Sequence, residues 1–159
     1  MSMDRIPMSR EGYDKLKGEL DQLEHVEMPR IAKEIGHTRG FGDLSENAEF
    51  HAAVEAQGML NARIRNLRDK LNRAYLIDTS TLPSDQVVFG ARVRVKDLDL
   101  DEEEVFHLVG AGEEDYDQGK ILVTSPLGKG LIGKRVGEIA EVAVPMGSLR
   151  LAIIEISFG

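Results

Sequence analysis

Apolar residues along the first third of the chain recur at helical intervals. Tyr13, Leu16, Leu20 and Leu23 stand three and four apart, and Ile31 and Ile35 resume the series. That spacing predicts one long amphipathic helix from Ser9, its N-cap, to about His37. Pro29 interrupts the pattern and is expected to kink the helix. A second series, Ala52, Met59, Ile64, Leu67, Leu71 and Ala74, predicts another long helix from about Leu44 to Tyr75. Gly40-Phe41-Gly42 separates the two. Long helices joined by so short a break should fold back as an antiparallel hairpin, each apolar stripe covering the other. Arms of about 30 residues, at ~1.5 Å rise each, make a rod of ~45 Å. Its tip, residues 40–49, is expected to project into solvent.

After Ile77 the periodicity changes. Thr79-Ser80-Thr81-Leu82-Pro83-Ser84 has linker composition, and short β-like runs follow at Val87–Lys96, Val105–Val109, Lys120–Thr124, Ile139–Val144 and Leu149–Ile156. A short helix is expected at Leu127–Leu131. The expected fold class is therefore α+β. A helical hairpin domain spans 1–78, a linker 79–86, and a small sheet domain 87–159.

Composition narrows the chemistry. With 42% hydrophobic and 30% charged residues the chain reads as globular rather than disordered. The absence of cysteine excludes disulfides and thiolate catalysis. No run is long and apolar enough for a membrane span, and the first residues lack the apolar core of a signal peptide, so a cytoplasmic protein is expected. A net charge of −8 argues against general nucleic-acid binding. Even so, Arg63, Arg65, Arg68, Lys70 and Arg73 form a local basic strip within 61–75, against Asp69 alone.

Three carboxylates, Asp43, Glu46 and Glu49, gather just after the glycine break. Asp43-Leu-Ser-Glu46 has the form of a capping box, which accounts for two of them. The same two carboxylates, near i and i+3 at a helix start, could instead share a hard cation such as Mg²⁺. That ion is commonly held by one or two carboxylates, with waters and phosphates completing its shell. Other motifs carry less. Gly128-Lys-Gly-Leu-Ile-Gly133-Lys134 nearly matches a phosphate-binding loop, but Arg135 stands where Ser or Thr is needed, and glycine-rich turns are the better reading. Asp97-Leu-Asp-Leu-Asp101 lacks the glycine and the final glutamate of a calcium loop, so it reads as a solvated acidic loop. His25, His37, His51 and His107 show no metal-ligand spacing.

Five stretches together, GDLSENAEFHAA, MSREGYDKLKGEL, RIRNLRDKL, VVFGARVRV and SPLGKGLIGK, resemble the bacterial transcript cleavage factors of the Gre type, over nearly the whole chain. The resemblance implies an FKBP-like C-terminal domain that docks on RNA polymerase through Ser125 and Pro126. It also implies a hairpin that enters the polymerase secondary channel. Asp43 and Glu46 match the family's acidic pair, which helps the polymerase hold a second Mg²⁺, so that the polymerase's own centre cleaves backtracked nascent RNA. On this reading the protein is a monomer and not itself an enzyme. Arg39 matches a basic position near the tip, and Arg39, Arg63, Arg65 and Arg68 would contact RNA or polymerase. Val54 stands where many relatives have arginine, which implies a weaker hold on the RNA 3′ segment. Two alternatives follow. One is a channel-binding inhibitor, against which the intact D-L-S-E argues. The other is an FKBP-like chaperone or prolyl isomerase, which would need an aromatic-lined pocket from Phe89, Phe106, Tyr116 and Phe158.

Overall fold

The computed structural model describes residues 4–39, 47–145 and 147–158. The chain divides into two compact units, one built from residues 14–74 and the other from residues 4–13 with 75–159. Together they make an α+β protein, as the sequence predicts.

The first unit is a helical hairpin. Its first arm comprises α1 (Arg10–Gln22, whose first residues belong to the other unit), a π-helical turn (Leu23–Glu27) and α2 (Met28–Thr38). The expected kink at Pro29 takes the form of that π turn, in which the Met28 amide bonds to the Leu23 carbonyl. Proline has no N–H to give to the carbonyl four residues back, and its ring crowds that carbonyl, so a widened turn is the favourable solution. The turn also keeps the apolar face in phase. Eight residues of α-helix run about 0.2 turn past two full turns. The extra residue absorbed by the π turn offsets this, and Leu23 and Ile31 are both half-buried.

The second arm is α3 (Ala48–Asn72). Its N-cap is Asn47, and the expected start at Leu44 with the Asp43–Glu46 capping box lies outside the described residues. Asn47 Oδ1 accepts from the Phe50 amide at 3.0 Å, and its Nδ2 donates to the Thr38 carbonyl at 2.6 Å. One side chain thus caps α3 and ties it to the end of α2. Ala53, Ile64 and Leu67 are buried, with Leu60 and Leu71 half-buried beside them. The inward face at the start of α3 therefore lies one residue on from the Ala52 and Met59 of the sequence reading. Met59 is 71% exposed.

The second unit has a five-stranded sheet in the order β5-β4-β3-β7-β6, formed by β3 (Arg92–Asp97), β4 (Glu102–Val109), β5 (Lys120–Leu122), β6 (Ile139–Val144) and β7 (Gly147–Ser157). All neighbours are antiparallel except β4 and β5. Alternation on β3 sends Val93 and Val95 into the core and Arg92 and Arg94 outward. A bulge where β3 meets β7 opposes Ile154 to no partner, which lets both Ile153 and Ile156 face the core. The short helix α4 (Pro126–Leu131) closes this core with Leu131. Val87–Gly90 is not strand as expected. Its burial comes from packing in a turn, where Gly90 has φ +87°.

Two three-residue strands, β1 (Ile6–Met8) and β2 (Ala74–Leu76), pair with one another; the sequence pattern did not reveal them. Met8 is fully buried, and its carbonyl accepts from the Ile77 amide at 3.0 Å. A Cβ on Gly110 would stand 2.5 Å from the Pro7 carbonyl oxygen, so only glycine admits β1 there. Ser9 caps α1 by accepting from the Gly12 amide at 3.0 Å, and its hydroxyl donates to Glu113.

Candidate functional site

The hairpin supplies the first group of candidate residues. Asp43 and Glu46, the expected acidic pair, lie outside the described residues. Glu49, the third carboxylate of the cluster, lies exposed in the first turn of α3, where the positive end of the helix dipole favours it. Arg39 is exposed at the end of α2, and Val54 is 42% exposed.

The basic strip turns out to be partly structural. Arg63 Nη2 bonds to Glu19 at 2.7 Å and Arg68 bonds to Glu24, both joining α3 to the first arm. Arg73 pairs with Asp69 at 3.1 Å along the same helix. These exposed pairs add at most about 1 kcal/mol each. Their larger effect is to spend the charge of Arg63 and Arg68 within the hairpin. Arg65 stays exposed on the outer face of α3.

The second group lies around α4. Ser125 caps that helix: its Oγ accepts from the Gly128 amide at 3.0 Å while donating to the Leu122 carbonyl at 2.7 Å. Pro126 follows at the first helical position, where a missing N–H costs nothing. Gly128 fixes the helix against β5, since a Cβ there would sit 2.3 Å from the Leu122 carbonyl oxygen. The resulting corner lines a mostly apolar groove of about 420 Å³, with Phe106, Tyr116, Leu127 and Leu149 among its walls. Tyr116 is 60% exposed there. Two of the four aromatic residues singled out from the sequence therefore meet in one groove, which sequence order did not reveal.

The remaining motifs resolve as structural. Gly130 faces Val142, whose methyl a Cβ would approach to 2.7 Å, and Gly133 adopts φ +85° in a turn. The glycine run is thus explained by packing and turning. In the acidic loop, Asp97 Oδ1 accepts from the Asp99 and Leu100 amides at 2.9 and 3.1 Å, and Asp101 pairs with Lys96 at 2.8 Å. That pair lowers the Asp101 carboxyl below its ordinary value and raises the Lys96 amine. Among the described residues no cluster of His, Asp or Glu could hold a metal ion, and no helix is long and apolar enough to cross a membrane. His107 on β4 has a depressed imidazole. Burial depresses it, Arg92 and Lys120 add to the effect, and Glu113 opposes it.

Known proteins match both units. Residues 6–76 match the family model described as transcription elongation factor, N-terminal, and residues 82–158 match that of the GreA/GreB C-terminal region. The transcription elongation factor GreA of Thermodesulfovibrio yellowstonii is 54% identical, covering 98% of each chain. That of Hyphomonas neptunium is 47% identical, covering 98% of this chain and 99% of its own. Among solved structures, GreA factor homolog 1 of Thermus thermophilus is 24% identical with a TM-score of 0.46, covering 96% of this chain and 99% of its own. Matched by family models across both its units, the chain belongs to the GreA/GreB family of transcription elongation factors.

Proposed function

We propose that this protein binds RNA polymerase through the groove at Ser125 and Pro126 and presents the Asp43–Glu46 segment to the polymerase active site. There it stimulates cleavage of backtracked nascent RNA. The protein contributes no complete active site of its own; the polymerase supplies the catalytic centre, and the work is done in the cytoplasm. The observation that carries this reading is the apolar groove itself. The two residues that the family resemblance assigns to docking stand at a helix corner on its wall, beside the exposed ring of Tyr116. An aromatic side chain with a polar tip in an open apolar groove is well suited to a protein partner.

The tip chemistry follows from the donor set. Two carboxylates suit a hard cation, and two of them alone bind it weakly, so the site is completed only in the complex. Asp43 and Glu46 would hold a second Mg²⁺ jointly with the polymerase, and that ion would supply charge stabilisation to phosphodiester hydrolysis. Asp43 and Glu46 act by adding negative charge where the polymerase holds that ion poorly. Of the basic residues, Arg65 and Arg39 are better placed to meet RNA or polymerase than Arg63 and Arg68, whose charges are engaged with Glu19 and Glu24.

The test is RNA cleavage in stalled, backtracked elongation complexes with Mg²⁺, comparing the wild type with Asp43→Asn and Glu46→Gln. The expected result is faster cleavage by the wild type and a loss of roughly tenfold or more in each variant, the scale on which groups supporting a metal site act, while polymerase binding is retained. Binding without stimulation by the wild type would favour the channel-inhibitor reading instead.

A further inference from the structure

The second unit is acidic: residues 79–159 hold 8 Lys and Arg against 14 Asp and Glu. Three of those eight cations, Lys129, Lys134 and Arg150, nevertheless line one concavity of about 670 Å³ beside the edge strand β6. Glu141 is the single carboxylate among its described lining residues. Ile132 and Ile139 also line it, 40% and 50% exposed. Arg150 Nη2 bonds to Asp99 at 3.0 Å, which fixes its guanidinium on the wall and offsets its charge, so that Lys129 and Lys134 carry the positive field. A concentration of positive charge on a negative domain focuses an attractive field on one place, and exposed apolar side chains beside it give an incoming group something to bury.

The glycine–lysine run that forms part of this wall is not a phosphate cradle. Its amides are already bonded within the domain: Ile132 to the Gly128 carbonyl at 3.0 Å, Gly133 to Val87 at 2.8 Å and Lys134 to Leu131 at 3.1 Å. A phosphate would find side-chain cations but no row of free amides. Cations set beside exposed isoleucines instead match a protein segment bearing carboxylates next to an apolar side chain.

The concavity is adjacent to the Ser125–Pro126 groove. Glu141 and Arg150 are register partners across β6 and β7 and line the concavity, while the next pair, Val142 and Leu149, lines the groove. A partner wrapped around this sheet edge would meet both. We propose that the Lys129–Lys134–Arg150 concavity is a second docking surface for RNA polymerase, one that receives an acidic, partly apolar segment. This rests on the reading that the protein binds polymerase.

The experiment is the affinity of the full chain for core RNA polymerase at low and high salt, with Lys129→Glu/Lys134→Glu as the variant. Binding weaker by about tenfold or more at low salt is expected, with the gap narrowing as salt screens the charges. Should the reversal variant fail to fold, Lys129→Gln/Lys134→Gln is expected to weaken binding in the same direction by less. Wild-type affinity in a folded variant would overturn the second surface and leave polymerase binding standing. Failure of the wild type itself to bind would remove both. A parallel titration with single-stranded RNA separates the remaining case: if charge reversal abolishes RNA binding and spares polymerase binding, the surface serves nucleic acid and the proposal is wrong.

Discussion

His107 carries a charge problem that its neighbours make worse. Burial withholds water from the imidazolium, and Arg92 and Lys120 repel it, so the folded protein binds this proton less readily than the unfolded chain does. The unfolded state therefore takes up the proton first as pH falls below the ordinary imidazole value of 6.5, and stability drops with it; above that value the effect vanishes. Thermal midpoints measured between about pH 5 and 7 are expected to fall toward the acid end in the wild type and to fall less in His107→Gln. An equal slope in both proteins would assign the pH dependence elsewhere. At this scale the sequence was legible wherever chemistry is local. Ser9 caps the helix it precedes, as the sequence predicts. The cap of α3 is Asn47, whose side chain serves the start of α3 and the end of α2 at once. Reading it would have required knowing that Thr38 ends α2 nearby.

Among the elements, the long helices were plain from periodicity, but their inward faces were not wholly so. Ala52–Ala53 and Met59–Leu60 each offer two adjacent apolar residues, and a 100° rotation decides which points inward. The structure chooses Ala53 and Leu60, in line with Ile64 and Leu67. Truncating the fully buried Leu67 to alanine should then cost roughly 2–5 kcal/mol, whereas Met59→Ala should change stability by less than about 0.5 kcal/mol. Urea unfolding of the two variants checks the phase directly, and comparable losses would show the assignment of faces to be wrong. Strands β3, β4, β5, β6 and β7 were legible as β runs, with their ends adjusted by a few residues. β1 and β2 were not: β2 lies where the helical series was read on to Ala74 and Tyr75, and β1 is a three-residue strand directly before the first helix.

On the scale of the whole molecule, the second unit is discontinuous in sequence. It takes in residues 4–13, then resumes at 75. Nothing in the composition of MSMDRIPMSREG marks it as part of a domain that begins 60 or so residues later. The fit shows it: Gly110 leaves room for the backbone of β1, and Ser9 meets Glu113. A fragment beginning at Thr79 should consequently melt well below the full chain and expose apolar surface where Met8 belongs. Calorimetry of the fragment against the whole protein tests this, and a fragment transition as high as that of the full chain would mean that residues 4–13 contribute nothing to the fold.

The bond from Ser9 to Glu113 spans 104 positions along the chain. During translation β1 emerges well before the sheet that will hold it. The intervening helices can form from neighbouring contacts as they leave the ribosome, but Met8 must wait until the Gly110–Glu113 segment has been made before its site exists. Closing so long a loop adds only logarithmically to the entropic cost, so the penalty falls on timing more than on final stability. Residues 6–8 are thus synthesised well before the partners that secure them, and an exposed Met8 marks a chain whose second unit has not yet closed.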